Sequence, residues 1–260
     1  MLFTLVDPSV GHEVAYNRWY ERDHFYAGCL VGPWLFAGRR WVAPRTLKDL
    51  RFPADSTVAV PVEAGSYLAT YWIHEGHHGD HFAWANKEVF KLYEAGRGFT
   101  ERKHAHTALY TAGSAHYRDA DPVPLPLALD HPFSGLTAVF VDRAAGVTHE
   151  DLDSWLDGAG WDAFLGTGSP LAIVASWEPI RPKSGEMRAP MDLGSGPGGP
   201  DRSLLLGFFD QTPTTAWPAL VQACATLEDA GVGTVRLAAP FVPTIPGTDT
   251  YTDELWEAPA

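Results

Sequence analysis

The sequence predicts an α+β fold in which one arrangement of strands and helices occurs twice. Three observations lead to this prediction. Short apolar runs alternate with segments of helical spacing along the 260 residues. A proline-rich stretch divides the chain near its middle. The order strand, helix, strand, strand, helix, strand is found on both sides of that stretch, at an offset of about 135 residues.

The first half, residues 1–120, contains four predicted strands and two predicted helices. The strands are expected at 1–7, 34–43, 66–74 and 107–117, and the helices at 11–29 and 80–95. The strand 66–74 is the clearest, because Tyr, Leu, Thr, Trp and Ile all favour a sheet. Gly28 and Pro33 mark the end of the first helix, and Asp80 can cap the second.

Residues 121–135 form the predicted linker, because four prolines fall between Asp121 and Pro132. The pattern then restarts in residues 136–260. Strands are expected at 136–141, 171–177, 203–209 and 234–239, and helices at 150–164 and 216–230. The glycine- and proline-rich stretch 182–201 predicts a long loop, either a lid or a disordered segment.

Each half has the element order of the split βαβ, or ferredoxin-like, unit. Such a unit covers one face of its sheet with helices and leaves the other face apolar. Two units in one chain can cover each other's open faces. The sequence therefore predicts two tandem ferredoxin-like repeats that close an intramolecular α+β barrel around a central cavity. The protein would be a monomer through this internal pseudo-dimer, or a homodimer.

Composition excludes several classes of partner. The net charge of −13 disfavours nucleic acid and anionic membranes, since both would repel the protein. Cys29 and Cys224 are far apart and lack a CxxC pattern, which is typical of a reducing cytoplasm. The sequence shows neither a signal peptide nor a run of about 18 apolar residues. A cytoplasmic protein without nucleic-acid or membrane partners is expected.

The stretch from Tyr16 to Phe25 carries the first set of candidate catalytic residues. Asn17, Tyr20 and His24 are spaced i, i+3 and i+7, so one face of a helix would hold all three. An imidazole with a pKa of about 6.5 can move a proton near neutrality. The phenol and the amide could polarise a carbonyl. The alternative is an amphipathic helix whose polar groups bond only to a neighbouring strand.

The run Asn17-Arg18-Trp19-Tyr20-Glu21-Arg22-Asp23-His24 follows a strand and resembles the Asn-Arg-Trp-Tyr-(acidic)-x-x-His signature of EthD-like proteins in the dimeric α+β barrel superfamily. Elsewhere the resemblance rests on element order alone. It implies a small-molecule enzyme without a cofactor, of the cyclase, dehydratase, isomerase or decarboxylase type, and in some relatives a monooxygenase. Aromatic, polyketide-like or lactone substrates are implied. The family pattern often continues with Leu-Pro, where this chain has Phe25-Tyr26.

The internal repeat gives a comparison within the chain. Placing Trp19 on Trp155 sets Asp153, Leu156 and Gly160 opposite Asn17, Tyr20 and His24. The second copy keeps the tryptophan and loses the phenol and the imidazole. This difference favours chemistry in the first repeat and a degenerate, structural second repeat. It is equally compatible with a first repeat whose polar face is exposed to solvent and inactive.

A second set of candidate residues is the histidine cluster His74, His77, His78 and His81. Residues 74–78 match the zincin pattern H-E-x-x-H, but they follow a strand directly and contain a glycine, so a zinc-binding helix is not expected there. A metal- or haem-dependent oxygenase that uses these four histidines is the alternative function. A non-catalytic ligand-binding barrel is the third possibility.

The predicted site therefore has two groups of residues and no cofactor. His24, Tyr20 and Asn17 would be catalytic, and Trp19, Trp72 and His74 would bind a small apolar or aromatic substrate. His74 is included because the end of a barrel strand could bring it to His24. Strand alternation also places His104 and His106 on one face, if that strand is regular.

Overall fold

The predicted element order is confirmed by the computed structural model, which describes residues 1–181 and 189–257. Eight strands are present in this part of the chain, and the two halves contribute four each. The strands are β1 (Leu2–Pro8), β2 (Leu35–Val42), β3 (Tyr67–Ile73), β4 (Arg102–Tyr117), β5 (Gly135–Arg143), β6 (Leu171–Ile180), β7 (Arg202–Phe209) and β8 (Gly233–Pro243).

Helices connect the strands. They are α1 (Glu13–Trp19), which continues directly as a π-helix (Tyr20–Leu30), α2 (Arg45–Lys48), α3 (His78–Glu94), α4 (His149–Asp157), α5 (Trp161–Leu165) and α6 (Pro213–Asp229). A short 3₁₀ helix at Leu125–Leu127 lies in the otherwise irregular segment between β4 and β5. The division of the chain into two repeats and a linker stays a prediction.

The strands form one closed antiparallel barrel in the order β1-β3-β2-β8-β5-β7-β6-β4. Two junctions join the strands of the first half to those of the second. The β4–β6 junction is long and runs from Leu109 opposite Ile180 to Tyr117 opposite Ile173. The β2–β8 junction is short, with Trp41 opposite Pro243 and Val42 opposite Val242. The α+β barrel predicted from the sequence is thus confirmed.

The prediction of a central cavity is wrong, because large side chains fill the middle of the barrel. Phe3, Trp41, Tyr110, Phe140 and Phe208 each expose 0% of their surface. Phe3 packs edge-on against Phe140 with ring centroids 5.6 Å apart. A barrel of about eight strands has an interior just wide enough for side chains to fill. Any site must therefore lie at the ends of the barrel or on its outer face.

The helices cover the outer face of the sheet in two separate layers. In the second half, α4, α5 and α6 enclose an apolar cluster that includes Leu152, Leu156, Phe164, Trp217 and Leu220. In the first half, α1, the π-helix and α3 lie over a face rich in tyrosine. The buried cluster between these helices and the strands includes Tyr16, Tyr20, Tyr67 and Tyr71. The two layers therefore differ in polarity although their strand order is the same.

Some predicted elements differ from the observed ones. The predicted helix 150–164 is two helices, since Gly158 and Gly160 interrupt it. Strand β4 begins at Arg102, five residues before the predicted start. The predicted loop 182–201 is irregular from 189 to 201, and its residues 182–188 lie outside the described part. Among the described residues, no helix is long and apolar enough to cross a membrane.

We expect Phe140→Ala to lower the free energy of unfolding by about 3–5 kcal/mol, because it opens a cavity in the packed barrel. Phe36→Ala is the matched control, since 47% of Phe36 is exposed. The control should change stability by less than about 0.5 kcal/mol. Urea unfolding followed by tryptophan fluorescence measures both. Equal losses would contradict the filled interior.

Candidate functional site

A cavity of about 120 Å³ lies on the outer face of the first-half sheet, beneath the π-helix and α3. Strands β1, β3 and β4 form its floor, and residues Ala189, Met191 and Leu193 close one side. Its apolar walls include Leu2, Val6, Phe82 and Val89. Its polar and thiol side chains are Thr4, Tyr20, Cys29, His24, Tyr71, His81, Asn86, Arg102, His104 and Thr107.

The π-helix determines how His24 enters this cavity. A π-helix bonds residue i to i+5, so it brings Trp19 over His24. The two rings are stacked, with centroids 4.5 Å apart and an angle of 17° between the planes. Gly28 lies below the imidazole, and a Cβ on it would stand 2.7 Å from Nδ1 of His24. The imidazole therefore occupies space that any other residue at position 28 would take.

Tyr20 and Tyr71 form a pair of phenols at the wall of the cavity. Their hydroxyl oxygens are 2.8 Å apart, and both side chains are buried. Burial, the dominant cause, raises both pKa values well above the ordinary one. Both phenols are therefore neutral hydrogen-bond donors at any physiological pH. Burial also raises the pKa of the neighbouring Cys29 to about 11, so this thiol is protonated.

The pKa of His24 is lowered to about 3, first by burial and then by the positive charge of Arg102 and by His104. Asp23 opposes this shift. The ring is consequently neutral at pH 7. Among residues 1–181 and 189–257, no hydrogen-bond partner for its nitrogens is found. One nitrogen lone pair is therefore available to accept a proton from a bound molecule.

Arg102, which the sequence analysis did not identify, begins a chain of hydrogen bonds on the cavity floor. Its Nε donates to Nε2 of His104 over 3.3 Å. Nδ1 of His104 must then carry the hydrogen, and it lies 2.8 Å from Oγ1 of Thr107. Thr107 and Thr4 share a hydrogen bond of 2.8 Å. One threonine hydrogen is left over at the end of this chain.

A β-bulge explains why His104 and His106 do not share a face, contrary to the expectation from alternation. In the β1–β4 register, Leu5 faces His106 and Val6 faces His104, so Ala105 has no partner. His104 therefore faces the cavity. His106 points into the barrel, where it bonds to Tyr110 over 2.7 Å and to Ser195 over 2.9 Å. No local sequence signal marks this bulge.

Asn17 does not line the cavity. Its amide nitrogen donates to the carbonyl oxygen of Thr248, and its oxygen accepts from Arg40 over 2.8 Å. The Arg40 guanidinium stacks on the ring of Tyr20, 4.5 Å from its centroid. Asn17 therefore supports Tyr20 from behind through Arg40. It also fixes the C-terminal segment to α1.

The three residues expected to bind substrate lie in different places. Trp19 backs the imidazole of His24, and its Nε1 donates to the carbonyl of Arg97. Trp72 lies at one end of the barrel, stacked on Trp177 with centroids 5.0 Å apart. His74 is exposed and contacts Phe36. Neither Trp72 nor His74 lines the cavity that holds His24.

The histidine cluster does not converge on one point. His77 stacks on Trp34 and bonds to Asp80, while His78 faces a different cavity, together with Trp72 and Glu75. His81 alone reaches the cavity of His24. No three His, Cys, Asp or Glu residues could hold a metal ion within the described ranges. The four histidines therefore do not come together as one set of metal ligands in the described ranges.

The second repeat uses the equivalent positions for packing and for contacts with β4. Leu156 is fully buried in the apolar cluster, and Gly160 leaves room for the ring of Trp155. Asp153 accepts hydrogen bonds from the backbone and hydroxyl of Ser114. The apolar cluster beneath α4 and α6 takes the place that the cavity has in the first half.

Comparison with solved structures shows the fold. The chain is similar to a chlorite dismutase-like protein with 10% identity and a TM-score of 0.52, over 98% of this chain and 97% of the other. A variant of chlorite dismutase from Candidatus Nitrospira defluvii has 8% identity and a TM-score of 0.51, over 98% and 93%. An anthrone oxidase-like protein has 10% identity and a TM-score of 0.48, over 95% and 93%.

These structures are dimeric α+β barrel proteins with ferredoxin-like units. At such low identity, the similarity shows the fold alone. No protein-family model matches the sequence, and no curated protein matches it either.

We expect Gly28→Ala to displace the imidazole of His24, because the added Cβ would overlap Nδ1. Overpacking of this kind costs about 1–3 kcal/mol of stability. Gly79→Ala is the control, since a Cβ there meets nothing within 4 Å. NMR spectra of the His24 ring and urea unfolding report both effects. Unchanged His24 resonances in Gly28→Ala would contradict the proposed contact.

Stability should fall as the pH decreases from about 6.5, because unfolded histidines bind protons there. The pKa values of His24, His104 and His106 are lowered to about 3, so the folded protein binds these protons only near that pH. Each ring then costs up to about 1.4 kcal/mol per pH unit between these limits. Nitrogen-15 spectra should show neutral rings at pH 5, and a His104→Gln variant should have a shallower pH dependence. Protonated rings at pH 5 would refute this.

Proposed function

We propose that the protein is a small-molecule enzyme that moves a proton beside a carbonyl group without an organic cofactor. The observation that carries this proposal is that a neutral His24 and the Tyr20–Tyr71 pair line the same cavity. An enzyme of this kind needs a base near the reacting carbon and a donor near the carbonyl oxygen. Both are present within one turn of the π-helix. The resemblance to EthD-like proteins supports the same chemistry.

In the proposed reaction, the free lone pair of His24 takes a proton from the carbon next to the carbonyl. Electron density moves to the carbonyl oxygen, which accepts a hydrogen bond from a phenol of the Tyr20–Tyr71 pair. The imidazolium then returns the proton. Return to another carbon gives an isomer. In a lyase or dehydratase, the enolate instead expels a leaving group from the next carbon, a carbon–carbon double bond forms, and the leaving group takes the proton from the imidazolium.

The size and walls of the cavity suggest the substrate. A cavity of about 150 Å³ holds one benzene molecule, and this one has about 120 Å³. Its walls carry Leu2, Val6, Phe82 and Val89. A single aromatic or lactone ring is therefore a better fit than a multi-ring polyketide. Asn17 and Trp19 are proposed to position Tyr20 and His24, and Trp72 and His74 have no proposed role.

A haem-dependent oxygenase is not supported by this site. A haem is much larger than the single benzene molecule that a cavity of about 150 Å³ holds, so it does not fit the cavity of His24, which has about 120 Å³. His77 and His78, the histidines on either side of the start of α3, do not face that cavity. No step of the proposed reaction passes through a haem or a metal.

The chain is proposed to act through its first half, with residues 136–260 as a structural second repeat. The closed barrel is completed within one chain, so sheet formation needs no second copy. This supports a monomer that contains an internal pseudo-dimer.

We expect the protein to catalyse hydrogen–deuterium exchange at the carbon beside the carbonyl of single-ring ketones and lactones. Proton NMR in D₂O follows a panel of such compounds at pD near 7. His24→Gln should reduce exchange by about 100-fold or more, because general base catalysis contributes about 10²–10⁴-fold. Tyr20→Phe should reduce it less, since Tyr71 keeps one donor.

His74→Gln is the matched control, because it removes an exposed imidazole outside the cavity. It should leave the exchange rate unchanged. Exchange that persists in His24→Gln, or no exchange with any compound of the panel, would contradict the proposed function.

A further inference from the structure

Arg102 places a positive charge in the cavity of His24. The described side chains that line this cavity include no aspartate or glutamate. Arg102 also forms no ion pair with any described residue, although the protein has 32 acidic residues and a net charge of −13. The only charged group on the described walls is thus a cation without a counterion.

The hydrogen bonds of Arg102 leave part of its guanidinium unused. A guanidinium has five N–H donors. Nε donates to His104, and Nη1 donates to the carbonyl oxygen of Phe99 over 3.0 Å. Among the described residues, Nη2 has only the thioether sulfur of Met191 at 3.9 Å, which is a weak acceptor. The guanidinium is held by these bonds and by stacking on Trp19, 4.5 Å from the ring centroid.

A second donor lies on the same cavity floor, on the far side of the His104 ring from Arg102. Hydrogen bonds run from Arg102 through His104 to the Thr4–Thr107 pair. Because His104 donates to this pair, one of the two threonine hydroxyl hydrogens has no acceptor within the series. Thr4 and Thr107 both line the cavity and are each 7% exposed. A buried hydroxyl and a guanidinium on one floor are suited to an anionic oxygen.

We propose that the ligand of this cavity is an anion: a single ring that carries a carboxylate or an ionised hydroxyl group, bound by Arg102 and the Thr4–Thr107 pair. This inference rests on the proposed function for the role of the ring's carbonyl carbon, and it names the class of substrate. Trp19 contacts both His24 and Arg102, and both of these side chains line the cavity, so the bound anion shares one cavity with the base.

The anion would also make His24 a better base. The positive charge of Arg102 opposes protonation of His24, and this contributes to its lowered pKa. A bound negative charge cancels that repulsion and raises the pKa of the ring. The site would then be more basic with the anion bound than with the neutral ketones and lactones of the exchange panel. A neutral ring of the same shape would lack this effect.

Benzoate and benzamide test the inference, because they have nearly the same shape and differ in charge. Isothermal titration of the full-length protein at pH 7 and low salt should show benzoate binding about tenfold to a hundredfold more tightly than benzamide, as expected for a charged hydrogen bond. Arg102→Gln should abolish this preference. Arg102→Lys should retain part of it and guard against loss through misfolding, which circular dichroism also monitors.

Lys103→Gln is the matched control, since it removes the same charge from the exposed neighbour on β4. It should keep the preference for benzoate. Equal binding of the two probes, binding of neither, or a preference that survives Arg102→Gln would overturn the inference. If the protein prefers benzoate to benzamide but catalyses no deuterium exchange, the proposed function is refuted and the anion site is supported. If the protein catalyses exchange of neutral rings but binds benzoate and benzamide equally, the anion site is refuted and the proposed function is supported.

Discussion

The filled interior of the barrel is the constraint on which the rest of the structure depends. Phe3, Trp41, Phe140 and Phe208 from both halves meet there and leave no room for a ligand. The sheet is closed, so its inner face is satisfied by its own side chains. Chemistry can be placed only at the ends of the barrel or where helices cover the outer face, and on the outer face the two halves differ.

The difference lies in what the helices bring to an equivalent surface. Over the second half, apolar residues such as Leu156 and Phe164 pack into the sheet, and His149 of α4 bonds to Ser203 over 2.9 Å. Over the first half, the π-helix contributes His24 and Tyr20 to the cavity. The strands beneath contribute Tyr71, Arg102 and His104. Burying such polar groups costs free energy unless they are hydrogen-bonded. Buried polar groups are therefore best tolerated where a bound ligand forms hydrogen bonds with them and offsets this free energy.

Two arginines in this layer show the contrast between support and function. Arg40 is 5% exposed and bonds to Asn17 and Glu21, so its charge is compensated within the protein. Its stacking on Tyr20 and Tyr67 holds the aromatic layer together. Arg102 has similar stacking on Trp19 and no carboxylate among the described residues. The first belongs to the scaffold, and the second lines the cavity and is the group proposed to bind the ligand.

The sequence by itself determined the order of the elements, the closed α+β barrel and the helix that carries Tyr20 and His24. Apolar periodicity, glycines and prolines are local signals, and they specify strands, helices and their ends. Tertiary structure alone decided where the cavity lies and which residues complete it. The bulge at Ala105 sends His104 outward, and the π-helix stacks Trp19 on His24 and leaves Asn17 outside. These features follow from packing between distant segments, and no local pattern encodes them.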